Sequence, residues 1–264
     1  MSVYSQAAEV LQYISPKFYK QRYFKRLKGV NAGNVLQRNL EPEMIWVKDY
    51  LPENGVFLDI GANVGAYVYL LEDRLKPQNI YAFEPNAALS SRLKRIFPQI
   101  QVCKVALSDE NTVTEIKIPV MNGRAVHSRG TLQKNIKESG ETHSKIQQVQ
   151  VMPLDGWMCG KSLNRIDFIK IDVEGHEHRT LRGAKDTLLR YRPVLMVEME
   201  QRHHEVPVWN VVEEVCSLGY TPHYLDRNSM KKMPLTRDLL EAQNAINVKN
   251  YAAYINNIIF LPKL

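Results

Sequence analysis

The residues best equipped for chemistry crowd into one short stretch, "FIKIDVEGHEHR", where Lys170, Asp172, Glu174, His176, Glu177 and His178 fall within nine positions. If the apolar run before them is a strand, alternation places Lys170 and Asp172 on one face, against Ile169, Ile171 and Val173. Asp172 is then the last polar residue to leave the strand, projecting into whatever crevice lies beyond its carboxyl end. Gly175 permits the turn into a following helix. Asp172 and His176 are the first candidates for a proton acceptor, with Glu198, at the end of the next apolar run, behind them. A metal reading competes, since Asp172, Glu174, His176, His178 and the run His203–Glu205 are all ligand types. Histidines at i and i+2 do not share a helix face, and no H-E-x-x-H occurs, so no zinc site is expected; oxygen ligands for magnesium stand as a minor alternative.

A second group of candidates sits in "VFLDIGANVGAYVYLL", residues 56–71, which reads as a buried strand, a tight loop and a helix. Asp59, Gly61 and Gly65 have D-x-G-x-x-x-G spacing. A dinucleotide fingerprint beginning at Gly61 needs glycine where Asn63 and Ala66 stand, and the phosphate-loop pattern fails too, so the ligand is not held by its pyrophosphate. Asn63 suits the loop because asparagine tolerates left-handed backbone. The next apolar run ends in "YAFEPN", where Glu84 lies nineteen residues beyond Gly65, at the spacing of a carboxylate that accepts both hydroxyls of an adenosine ribose. Ser108 and Asp109 end the third run, "VALSDE", placed to meet an adenine. Helix capping and solvated turns explain Ser108 and Asp109 equally well when taken alone.

The elements that must position these groups follow from the pattern. From Val56 onward, apolar runs at 56–60, 79–84, 100–107, 166–173 and 192–200 alternate with amphipathic helices, which predicts a parallel sheet covered on both faces, and 220–226 and 256–263 are two further strands. Ligands of such sheets bind beyond the strands' carboxyl ends. Residues 1–50 read as a helical cap, with Val10, Leu11, Tyr13 and Ile14 at helical spacing and "EPEMIWVKDYL" repeating the pattern until Pro52–Gly55 break it. Between about 112 and 151 the rhythm changes: "TVTEIKIPV" and "QQVQVMPL" alternate and predict a two-stranded extension carrying a long, mobile loop over 121–145.

Composition narrows the class. The chain has 264 residues, 44% hydrophobic and 24% charged, enough for one large domain with a full core. No apolar run approaches the roughly 18 residues of a membrane span, and the N-terminus lacks a secretory leader's apolar stretch, so a cytoplasmic location is expected. Cys103, Cys159 and Cys216 are scattered, as reduced thiols would be. The net charge of +7 is concentrated in residues 1–30, where Lys17, Lys20, Arg22, Lys25, Arg26 and Lys28 face only Glu9. That run reads first as a solvated helix face; nucleic acid, a peripheral contact with an anionic membrane and an acidic substrate are the alternatives.

Taken together, "FLDIGANVGAY", "YAFEPN", "VALSD", "IDFIKIDVEGHE" followed by "LRGA", and the terminal "NIIFLP" resemble the FkbM-type family of S-adenosylmethionine-dependent methyltransferases, over roughly residues 40–262. The resemblance implies an α/β, Rossmann-like, seven-stranded class I methyltransferase sheet whose last strand is antiparallel, with helices on both faces. It divides the chain into the cap, 1–50, and a methyltransferase domain, 51–264, with its insertion at about 112–151. It also implies S-adenosylmethionine as methyl donor, held by Asp59, Gly61, Ala62, Asn63 and Gly65 at the methionine portion, by Glu84, Pro85 and Asn86 at the ribose, by Ser108 and Asp109 at the adenine, and by Asp172. The expected function is O-methylation of a sugar, a glycan precursor or a secondary metabolite, with a small molecule or glycan as partner. An RNA methyltransferase using the basic N-terminus is the second reading. It is weakened because Asp172-Val173-Glu174-Gly175 stands where exocyclic-amine methylation calls for an Asn-Pro-Pro-Tyr or Asp-Pro-Pro-Tyr turn. A donor-binding protein without turnover is the third.

Overall fold

A computed structural model describes residues 10–133, 139–204, 206–244 and 254–263. Its centre is an eight-stranded sheet in the order β11-β10-β12-β9-β8-β1-β2-β3. The parallel strands are β1 (Phe57–Ile60), β2 (Ile80–Phe83), β3 (Gln101–Cys103), β8 (Phe168–Ile171) and β9 (Val194–Glu198). The last strand, β12 (Asn257–Pro262), inserts antiparallel between β9 and β10 (Tyr220–Asp226). These seven strands are those the sequence predicts. An eighth, β11 (Lys231–Pro234), hairpins onto β10 at the edge. All four of its residues are exposed; two lysines and a proline give no apolar signal to read, and they also keep the edge from pairing further.

Strand alternation sorts the core into two layers. Leu58, Ile60, Ile169, Ile171, Leu195 and Val197 face one side, where α5 (Leu154–Met158), α6 (Glu177–Arg182), α7 (Lys185–Tyr191) and α8 (Val208–Ser217) bury residues such as Leu154, Leu181, Leu188 and Val212. Phe57, Ile80, Ala82, Phe168 and Met196 face the other, under α1 (Pro16–Tyr23), α2 (Glu43–Tyr50), α3 (Ala66–Leu71) and α4 (Ala87–Ile96). Both faces of β1 and β8 are therefore buried, which explains why they are apolar apart from Asp59 and Lys170, which pair with each other. A remaining helix, α9, spans Arg237–Asn244.

The run at 100–107 is two strands, not the single one predicted. After Cys103 the chain folds tightly, with Val105 N–H donating to the Cys103 carbonyl at 3.0 Å, and β4 (Ala106–Leu107) leaves the main sheet to pair with Val151 and Met152. It joins a second sheet in the order β4-β7-β5-β6, made with β5 (Thr112–Met121), β6 (Arg124–Ala125) and β7 (Glu141–Met152). The predicted extension is thus a four-stranded sheet, and residues 126–133 after β6 fold back over the main sheet's carboxyl ends. Residues 134–138 of the loop lie outside the described residues.

The cap is anchored by charge as well as by packing. Arg227, just past β10, is 2% exposed; it donates from Nε to Glu43 Oε1 of α2 at 2.9 Å and from Nη2 to Asn256 Oδ1 at 2.6 Å.

Candidate active site

The strand order reverses between β1 and β8, and the predicted site residues gather beyond those strands' carboxyl ends, as such a sheet requires. The loop after β1 is fixed by Gly61 and Ala62, whose N–H groups both donate to the Phe83 carbonyl at 3.0 Å. Gly61 has φ +79°, and a Cβ there would lie 1.8 Å from the Asp172 carbonyl. Gly65 has φ +86°, and a Cβ would press on Leu93 and Phe97 of α4 at 2.6 and 2.8 Å. These glycines are required by close approach as well as by backbone angle. Asn63 takes the expected left-handed conformation at φ +52°.

Glu84 leaves β2 almost fully buried, and its carboxylate accepts the N–H groups of Asn63 and Asn86, each at 2.8 Å. Burial pushes its pKa up to about 7, further than those hydrogen bonds pull it down. Asn86 caps α4, its Oδ1 accepting from Ala88 and Leu89 N–H, and Pro85 turns the chain between them, its carbonyl accepting from Gln147 Nε2 of β7.

The strand after these, β8, carries the charged centre. Lys170, 5% exposed, reaches Asp172 Oδ2 at 3.0 Å, the Gly61 carbonyl at 3.3 Å and Asp59 Oδ1 at 3.5 Å. Burial opposes its charge, but the two carboxylates outweigh burial and lift the ammonium's pKa above the ordinary lysine value. Asp59 sits at the floor as a structural counter-charge, its own pKa raised by burial. Asp172 is held below the usual carboxylate range: burial works against ionisation, but Lys170 and a hydrogen bond from Glu198 prevail. Glu198 pays for that arrangement, with burial and the Asp172 charge pushing its pKa up to about 10. Its Oε1 accepts from Asn256 Nδ2 at 2.6 Å. Burial and the neighbouring Asp172 charge thus disfavour the ionised form of Glu198, while their contact favours the ionised form of Asp172.

Two cavities meet at this centre, sharing Gly61, Asn63 and Asp172. One, of about 50 Å³, lies between Glu84, Leu107, Val173 and His176 and is roofed by His127 and Ser128. The other, of about 290 Å³, opens between the β1 loop and the cap, against Glu41, Met44, Tyr67 and Lys170.

His176 belongs to the first cavity, away from Lys170. It is 7% exposed, bonds Ser108 Oγ through Nε2 at 2.9 Å, and has its pKa lowered by burial and by Arg179. Ser108 and Asp109 do not line that cavity: Ser108 backs His176, and Asp109 pairs with Arg179 at 2.7 Å. The wall they were expected to form is made by Val105–Leu107, because the break after Cys103 shifts it toward the start of the run. His178 faces outward to Glu214.

Two contributors escaped the sequence reading. Glu41, from the cap, accepts a hydrogen bond from Tyr67 Oη at 3.1 Å, and its pKa is raised by burial and then by the charge of Asp172. An acid amid the apolar pattern "EPEMIWV" carries no positional signal that could have found it. The second is a flap, residues 126–133, from the insertion. Asn63 Nδ2 donates to the Ser128 carbonyl at 3.2 Å, Asn86 Nδ2 and His127 Nδ1 lie 3.0 Å apart, and Thr131 Oγ1 and Gln133 Nε2 donate to the carbonyls of Glu174 and Gly175, each at 2.8 Å. The glycine- and serine-rich composition announced a loop but not where it docks.

Arranged this way, the residues can hold a cation beside a fixed carboxylate. The methyltransferase FkbM domain profile matches residues 59–224, from the floor acid Asp59 to β10. The chain belongs to the FkbM methyltransferase family. Among relatives, it is 28% identical over 162 residues to the 2-O-methyltransferase NoeI of Sinorhizobium fredii, covering 57% of this chain and 65% of that one. It is 26% identical over 212 residues to the AMB antimetabolite synthetase AmbE of Pseudomonas aeruginosa, covering 67% of this chain and 10% of that protein. A crystal structure of an FkbM methyltransferase from Methylobacillus flagellatus aligns with 14% identity and a TM-score of 0.48, over 79% of this chain and 44% of that one. The chain thus spans less than two thirds of the length of these relatives. Among the described residues no group of three or more His, Cys, Asp or Glu is arranged to hold a metal ion, and no helix is long and apolar enough to cross a membrane.

Proposed function

We propose that this FkbM-family chain is an S-adenosylmethionine-dependent O-methyltransferase acting on a hydroxyl of a sugar, a glycan precursor or a secondary metabolite. The observation that carries the proposal is the position of Asp172, 3.0 Å from Lys170 and lining both cavities where they meet. S-adenosylmethionine, when bound, supplies a methyl group on a positively charged sulfur. The residues present fit that molecule. Glu84 offers a buried carboxylate to a ribose diol, Asn63 Oδ1 is a buried acceptor without a hydrogen-bond partner, and Glu41 adds negative charge for an ammonium group.

Asp172 would orient the acceptor hydroxyl and receive its proton as the new carbon–oxygen bond forms. A carboxylate held this low is a weak base, but the oxygen becomes strongly acidic as it gains the methyl group, so proton transfer can come late. Alignment contributes most, since orientation corresponds to effective molarities of about 10⁵ to 10⁸ M against about 10² to 10⁴ for a positioned base. The flap roofs the first cavity and the cap borders the second, so bound donor and acceptor together would displace water from the reacting atoms. Oxygen rather than exocyclic nitrogen is favoured by Asp172-Val173-Glu174-Gly175, and the relative named a 2-O-methyltransferase points the same way. The acidic rim formed by Glu41, Asp172 and Glu174 opposes the phosphates of a nucleic-acid substrate.

The direct test is a labelled-methyl transfer screen over sugars, nucleotide sugars and lipid-linked glycans, with calorimetry of the donor alone. One-to-one binding that both Asp59→Ala and Glu84→Ala weaken is expected; unchanged affinity in both variants would discard the site. Two finer expectations follow. Because Glu84 titrates at about 7 in the free protein and its ionised form is the one that accepts two hydroxyls, donor affinity should fall below pH 7, by up to about tenfold per unit. Glu84→Gln should flatten that dependence; a wild-type profile with no inflection between pH 6 and 8 contradicts the assignment. Glu41→Gln should raise the donor's KM by about tenfold, the equivalent of ~1.4 kcal/mol, with kcat little changed. An effect confined to kcat would move Glu41 from donor binding to chemistry.

A further inference from the structure

The N-terminal helices bury an unexpected set of side chains. In the helical stretch 10–14, Gln12 is buried, accepting from Arg95 Nη1 at 2.6 Å, and half-buried Leu11 packs against the core beside it. In α1, Tyr19 is buried, and just beyond it Phe24 stacks on Tyr69. Hydrogen bonds from Ser15 N–H to the Leu11 carbonyl and from Tyr19 N–H to the Ser15 carbonyl carry the ladder across Ser15. The outward face therefore presents Val10, Tyr13, Ile14 and Phe18, at i, i+3, i+4 and i+8, exposed by 51, 66, 75 and 52%. Four large apolar side chains on one stripe are more than scattered exposure accounts for.

Their surroundings are mainly cationic, Glu72 being paired with Lys20 at 2.7 Å. From Val10 to Leu40 there is no acid, while Lys17, Lys25, Arg26 and Lys28 are exposed around the stripe. On α4, Arg95 lies over the Tyr13 ring at 4.0 Å and Arg92 over the Tyr23 ring at 5.5 Å. A second copy of the same face would set cation against cation, which excludes a symmetric dimer through this stripe. Phosphates of a nucleic acid would satisfy the cations but leave Val10 and Ile14 in water. An apolar stripe set among lysines and arginines, with tyrosines at its margin, matches the interface of an anionic bilayer.

We infer that residues 10–28 dock this protein on an anionic membrane surface, with Val10, Ile14 and Phe18 entering the headgroup region and Lys17, Lys25 and Lys28 meeting lipid phosphates. The test is co-sedimentation of the full chain with vesicles of phosphatidylcholine, alone or with about one third phosphatidylglycerol, at low and high salt. Binding only to the anionic vesicles, weakened by salt, is expected. Ile14→Ser/Phe18→Ser and, separately, Lys17→Glu/Lys25→Glu should each lower the partition coefficient by at least about tenfold. Donor binding measured on the same variants should be unchanged, which establishes that they are folded and keeps this result separate from the methyltransferase reading. Failure of wild type to bind anionic vesicles overturns the inference, as does unaltered binding by the serine pair, or salt-sensitive binding to an RNA oligonucleotide with none to vesicles.

Discussion

In Asp172→Asn, kcat is expected to fall by about 10² to 10⁴, the contribution of a positioned proton acceptor, while donor binding changes much less. Asparagine preserves the size of the side chain and removes its charge, so the loss reads the carboxylate and not the packing. Lys170 keeps Asp59 and the Gly61 carbonyl as partners, which preserves the floor of the site. Single-turnover measurement at saturating donor isolates the chemical step, and a loss of only a few-fold would remove Asp172 from it. The wild-type pH profile offers an independent check. Asp172 is held below the usual carboxylate range, so kcat at saturating donor should stay level through pH 5, whereas kcat/KM for the donor should already decline below about 7 as Glu84 takes up its proton. Coincident profiles would mean that one group governs both steps.

Arg227→Leu is expected to destabilise the fold by about 3–5 kcal/mol, because it strands Glu43 as a buried charge, 2% exposed, and leaves the Asn256 carbonyl oxygen without its guanidinium partner. For a chain of this length that amounts to a fall in Tm of roughly 6–20 °C. Replacing Glu43 by leucine as well should recover most of the loss, since the penalty lies in the unpaired charge and not in the absence of the pair. If the double variant is no more stable than the single one, Arg227 acts by packing. Asn256 links this pair to Glu198, so the single variant should also disturb the site, and thermal melting with and without donor separates the two effects.

How far the sequence could foretell these features depends on how local their determinants are. The β1 loop was readable because left-handed turns and close backbone approach select residue types at fixed spacing, and Gly61, Asn63 and Gly65 are those types. Glu84 and Asp172 were readable because each is the acid that follows directly on a buried, mainly apolar strand. The split after Cys103 was not, since "QVCKVAL" is apolar throughout and only the competing partner β7, more than forty residues later, decides where one strand stops and the next begins. The surroundings of Glu198 were equally hidden: its raised pKa depends on burial and on Asp172, and its hydrogen bond on Asn256, which arrive from other parts of the chain. The helical spacing around Val10 was correctly read as a helix, yet it points its apolar side outward, which periodicity alone cannot distinguish from a face turned toward the core.

The two cavities have different walls, one shut by the flap of the insertion and the other by the cap, although both end at Asp172. A ligand that reaches across both is therefore held from two sides: on the proposed reading the donor's nucleoside end would leave past residues 126–133 and its amino-acid end past the cap. On that reading the rate of donor exchange would be set by how quickly Thr131 and Gln133 let go of the backbone at Glu174 and Gly175.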